Sequence, residues 1–107
     1  MSEQSEAGSG FQAVVDAFAG DGEVSGGRMF ASYGLKVRGK FFAFAKDGAM
    51  VVKLPRARVD ELIAAGRGKT FTRGAAGVPM YEWVVLVPGS DWVALARKAR
   101  DFVAGAA

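Results

Sequence analysis

The stretch Arg28–Leu54, RMFASYGLKVRGKFFAFAKDGAMVVKL, decides the fold. Met29, Ala31, Tyr33, Leu35 and Val37 alternate with Phe30, Ser32, Gly34 and Lys36, the period-two signature of a strand about nine residues long. Arg38-Gly39 then marks a hairpin, Lys40–Lys46 (KFFAFAK) a second strand and Ala49–Leu54 (AMVVKL) a third. Between the last two, Asp47-Gly48 is the strongest short hairpin signal in the chain, because its residues tolerate the positive φ that a two-residue turn demands. The result is an antiparallel meander. With two-residue turns at both hairpins, pairing sets Tyr33, Leu35, Val37, Phe42, Phe44 and Val51 on one face with Lys40 and Lys53. The other face then takes Phe41, Ala43, Ala45, Met50, Val52 and Leu54 with Lys36. Both faces are mostly apolar, so helices must cover both or a second subunit must cover one.

Helical patterns flank the meander. Upstream, Phe11, Val14, Val15 and Phe18 form the stripe of an amphipathic helix, opened by a capping box of Ser9 with Gln12 and ended by Gly20. Residues 1–8 are small and polar and read as a disordered tail, and GDGEVSGG (Gly20–Gly27) reads as a loop. Downstream, Pro55 suits the first turn of a short helix with Val59, Leu62 and Ile63 on one side and Gly66 as its C-cap. Lys69–Thr72 reads as a short edge strand, Arg73–Pro79 as a loop and Met80–Val87 as an aromatic, β-branched strand broken by Pro88-Gly89. Ser90 or Asp91 caps a last helix whose apolar face is Trp92, Leu95, Ala96, Ala99, Phe102 and Val103. The expected class is α+β: one domain over residues 9–104, in the order α-β-β-β-α-β-β-α, with an antiparallel sheet of about five strands.

Composition narrows the function. The 107 residues are 50% hydrophobic and 23% charged and include 15 glycines, enough for one core without disulfides or metals. Zero cysteine and zero histidine remove zinc sites, thiol nucleophiles and Ser-His-Asp triads. Asp60-Glu61, Glu82 and Asp91 lack the spacing of a paired-carboxylate site and read as caps and surface charge. The expectation is a non-enzyme without cofactor or metal. No apolar run approaches the roughly 20 residues that span a bilayer, and the acidic start is unlike a signal peptide, so the expected location is cytoplasmic. Richness in Ala, Gly, Val and Arg points to a GC-rich bacterial source.

The formal net charge of +3 hides an asymmetry. Residues 1–27 carry Glu3, Glu6, Asp16, Asp21 and Glu23 with no basic group, whereas residues 28–73 carry a net +8. Within the basic segment Arg28, Lys36, Arg38, Lys40, Arg56, Arg58, Arg67, Lys69 and Arg73 fall around hairpin ends and loops, where long side chains reach phosphates without reading bases. Two accounts stay open: a weak nucleic-acid surface, with the acidic segment folding over part of it, or solvated edges that lysine and arginine keep soluble. Gly66-Arg67-Gly68-Lys69 is not a phosphate-binding loop, because it follows a helix instead of preceding one. Phe30, Tyr33, Phe41, Phe42, Phe44, Tyr81, Trp83 and Trp92 could stack on bases. In so small a domain most must be core, with Tyr33 and Tyr81 the best candidates for exposure.

RMFASYGLKV (28–37), GKFFAFAKDG (39–48), VVKLP (51–55), GVPMYEWV (77–84) and DWVALARKARDFV (91–103) together resemble the amino-terminal domain of the TfoX/Sxy family. The resemblance covers roughly Phe11–Val103 and implies an α+β domain with a central antiparallel sheet, similar in outline to MmcQ/YjbR-like proteins and to secretion-chaperone-like folds. It also implies a part in competence regulation, where such proteins act on transcription with the cyclic-AMP receptor protein. Longer members carry a carboxy-terminal domain resembling helix-hairpin-helix units, which these 107 residues do not contain. The family's glycine-rich MFGGYG segment reads MFASYG here, with Ala31 and Ser32 in place of two glycines. No catalytic residue is implied. The expectation is therefore a small binding protein, an accessory in transcription or competence regulation with weak nucleic-acid binding and a protein partner in the transcription machinery. The alternative is a homodimeric interaction module that uses a sheet face and has no nucleic-acid role.

Overall fold

The computed structural model describes residues 5–29, 32–46, 48–87 and 91–106. Their order is α1 (Ser5–Ala17), β1 (Val24–Met29), β2 (Ser32–Val37), β3 (Lys40–Lys46), β4 (Ala49–Lys53), α2 (Arg56–Ala64), β5 (Gly68–Arg73), β6 (Val78–Leu86) and α3 (Trp92–Ala106). The strands form one antiparallel sheet in the order β1-β2-β3-β4-β6-β5. The α+β class and the meander are as the sequence predicts, with a sixth strand added.

That strand is β1, in the stretch read as a loop. VSGGRM offers almost no apolar pattern, yet an edge strand needs only one partner backbone, and Gly26 lets the Tyr33 ring lie across it where a side chain would collide. The long strand expected over Met29–Val37 is thus two strands, β1 ending at Met29 and β2 starting at Ser32. Helix α1 also starts earlier than expected. Residues 5–8 of the predicted tail are helical, residues 1–4 lie outside the described residues, and Ser9 sits within the helix, not at its cap. Gln12 donates instead to Asp16 Oδ1 at 2.9 Å.

Turn chemistry fixes the rest. Arg38 and Gly39 adopt φ of 53° and 82°, as a two-residue hairpin requires. Helix α2 ends as predicted: Gly66 has φ 76°, its N–H reaches the Ile63 carbonyl, and the Arg67 N–H reaches back to Leu62. Asp91 Oδ1 accepts the Ala94 N–H and so caps α3, while the alternative cap, Ser90, lies outside the described residues.

All three helices share one core with one face of the sheet. It joins Phe11, Val14 and Phe18 of α1, Val59 and Leu62 of α2, and Leu95, Ala96, Ala99 and Val103 of α3 to Leu35, Val37, Met50, Val52, Val84 and Leu86. Each such large aliphatic or aromatic side chain contributes about 1.5–3 kcal/mol when fully buried.

The face assignment needs one correction. Leu35 pairs with Ala43 but Lys36 pairs with Phe41, so Phe42 is the extra residue of a β-bulge. Phe42 and Ala43 therefore both serve the helix side, where Phe42 meets Phe18 edge-on at 5.3 Å. Beyond the bulge the alternation is inverted. Phe44 and Val51 turn to the opposite face, in company with Phe41 and Lys36 and not with Leu35 and Val37.

Candidate functional site: the helix-free sheet face

Among the described residues no helix packs on the second face of the sheet. Strand alternation outward from the bulge gives that face Ser25 and Gly27 of β1, Gly34 and Lys36 of β2, and Phe41, Phe44 and Lys46 of β3. Ala49, Val51 and Lys53 of β4, Lys69, Phe71 and Arg73 of β5, and Val78, Met80, Trp83 and Val85 of β6 complete it. Every ionisable side chain at these positions is basic, four lysines and Arg73.

The middle of the face is an aromatic cluster. Phe44 lies 5.7 Å from Phe71, nearly perpendicular to it, and 5.7 Å from Trp83, while Phe71 and Trp83 are 6.4 Å apart. Phe44 is 3% exposed and Val51 not at all, so they form the floor, and Phe71 and Trp83 stand half-buried above it. Such tilted and edge-to-face pairs add about 0.5–1.5 kcal/mol each beyond burial, which holds the rings in place without ligand.

Lysines stand over the outer rings. Lys53 Nζ is 5.8 Å from the Trp83 ring centroid, and Lys36 Nζ is 5.6 Å from that of Phe41. Phe41 comes this low because Gly34 has no side chain: a Cβ there would stand 2.9 Å from the Phe41 ring and 3.0 Å from the Ala43 carbonyl oxygen. The arrangement supplies fixed positive charge beside half-exposed π-faces, which suits phosphates and flat rings.

The nine basic residues singled out from the sequence do not form one patch. Lys36 and Lys69 lie on this face, as does Arg73 at the end of β5, two residues beyond Phe71. Arg28 pairs with Tyr33, which meets Phe11, and so belongs to the helix side. Arg38 sits in the β2–β3 turn and Lys40 opens β3, and Arg67 lies between α2 and β5. On α2, Arg56 stacks on Tyr81 at 4.2 Å and Arg58 pairs with Glu61 at 3.0 Å. Sequence reasoning omitted Lys46 and Lys53 from the site, and the missed bulge had put Lys53 opposite Lys36. The Phe41-Phe42 doublet, which interrupts an otherwise alternating strand, is the signal that marks it.

The acidic segment does not cover the lysines through Asp21 or Glu23. Arg100 of α3 donates to Asp21 Oδ2 at 3.0 Å and to Glu23 Oε1 at 2.9 Å, and Arg38 reaches Glu23 Oε2 at 3.2 Å. The Glu23 N–H and then the Arg100 guanidinium hold the Asp21 carboxyl below the ordinary aspartate range. These groups lock α3 to the start of β1. Among the described residues no three acidic side chains gather as a metal site requires. Nor is any described helix long and apolar enough to cross a membrane. Tyr33 and Tyr81 are exposed, at 48% and 50%, as their sequence context predicts.

A family model described as the TfoX N-terminal domain matches residues 16–101, which span all six strands, α2 and most of α3. No curated protein and no solved structure matches the chain.

Proposed function

This chain belongs to the TfoX N-terminal domain family, and on that premise we propose a non-enzymatic binding domain, an accessory in transcription and competence regulation in the cytoplasm, that contacts nucleic-acid phosphates through its helix-free sheet face. The observation that carries this reading is the set of Lys36, Lys46, Lys53 and Lys69 on one face with no acidic strand position between them. Four phosphate contacts give a log–log salt slope of about −3 to −4, so affinity falls roughly a hundredfold between about 50 and 200 mM salt.

Fluorescence anisotropy with end-labelled DNA tests this. Binding at about 50 mM salt that weakens along that slope, and alike for unrelated sequences, supports it. Absent or salt-independent binding contradicts it.

A homodimer through the same face is the second reading, favoured by the half-buried Phe41, Phe71 and Trp83 that no described element covers. Two-fold pairing would bring this lysine set against its own copy, and juxtaposed like charges oppose association. Sedimentation separates the two readings: the first expects a monomer without ligand, the second a concentration-dependent dimer.

A further inference from the structure

Resting on the phosphate reading above, we infer that the ligand of this face is a single strand, whose unpaired bases stack on Phe41, Trp83 and Phe71 while lysines hold its phosphates. The ladders pair Lys36 directly with Phe41 and Lys53 directly with Trp83, and Trp83 in turn touches Phe71. A line drawn across β2, β3, β4, β6 and β5 thus meets a lysine, an aromatic ring, a lysine and two more rings. Neighbouring strands lie about 4.8 Å apart, so the two lysines are about 10 Å apart across the sheet, with a ring beside each. A duplex has no use for the rings, because its bases are stacked within it and it offers phosphates alone. A single strand uses both kinds of group, since every base has a π-face and every link a phosphate. The rings are also pre-set: Phe44 beneath Phe71 and Trp83 fixes their tilt, so little ordering remains for binding to impose.

The test uses the full chain and three probes at one salt concentration: an oligo(dT) of about 15 nucleotides, a hairpin duplex with as many phosphates, and inorganic polyphosphate of similar length. Oligo(dT) is expected to bind at least about tenfold tighter than either of the others. In a Trp92→Phe background it should quench the fluorescence of Trp83, which needs no change on the face. Phe71→Leu keeps an apolar side chain above Phe44 on an edge strand and should lower oligo(dT) affinity about tenfold, removing most of the preference. Equal affinity for all three probes, with Trp83 unquenched, overturns stacking and leaves the phosphate reading standing. Binding to none of them overturns both, as does a self-associated form that buries Trp83 and excludes oligo(dT).

Discussion

Lys53 and Trp83 are direct partners across the β4–β6 ladder, with the lysine ammonium 5.8 Å from the indole centroid. The pair places a cation and a half-buried ring at the middle of the helix-free face. Lys53→Glu is expected to weaken DNA binding for all sequences alike and to lower the magnitude of the log–log salt slope by about one. Anisotropy titrations at several salt concentrations check this. An unchanged slope would place the phosphates elsewhere.

Phe42 is the bulge residue, fully buried against Phe18. Phe42→Ala should destabilise the fold by about 3–5 kcal/mol, because the bulge holds the position rigid and the cavity cannot collapse easily. Urea denaturation measures the loss. A cost near that of a surface substitution would mean that β3 repairs its register without the bulge.

Gly34 lies under Phe41. Gly34→Ala should cost about 1–3 kcal/mol through overpacking, since the new methyl would meet the ring at 2.9 Å and the Ala43 carbonyl oxygen at 3.0 Å. It should also lift Phe41 and weaken oligo(dT) binding more than polyphosphate binding. Thermal melts and paired titrations read the two effects.

Most of the fold is legible in the sequence because its signals are local. The Arg38-Gly39 turn, the Gly66 cap, the Asp91 cap and the apolar runs of β3 and β4 each rest on neighbouring residues. What escapes is set by tertiary pairing. VSGGRM becomes β1 only because β2 offers a backbone edge, and the bulge at Phe42 adds one residue that reverses the facing of everything before it. That single residue also hid the site, since an unbulged register separates Lys36 from Phe44 and Lys53. The aromatic residues read as core are core in part: Phe42 is buried on the helix side and Phe44 on the floor of the helix-free face, where Phe41 and Trp83 stand half-exposed.

Asp21 links acid stability to the Arg100 cluster. Its folded-state pKa lies below the unfolded value of 3.8, lowered first by the Glu23 N–H and then by Arg100. The stabilisation is therefore fully present above the unfolded value and lost as pH falls through the depressed folded one. Asp21→Asn should remove this part of the acid sensitivity, so that wild type and variant converge in stability as pH drops below about 4. Urea midpoints measured against pH check the convergence, and a gap that stays constant down to strongly acidic pH would assign the effect to geometry instead.

Amide chemical-shift mapping with oligo(dT) reads the binding surface residue by residue, and the helix-free face is expected to carry the response. Shifts should group on Lys36, Phe41, Lys53, Lys69, Phe71 and Trp83, with the Trp83 indole N–H among the largest. Shifts concentrated on α1 and α3, or scattered without relation to the face, would contradict it.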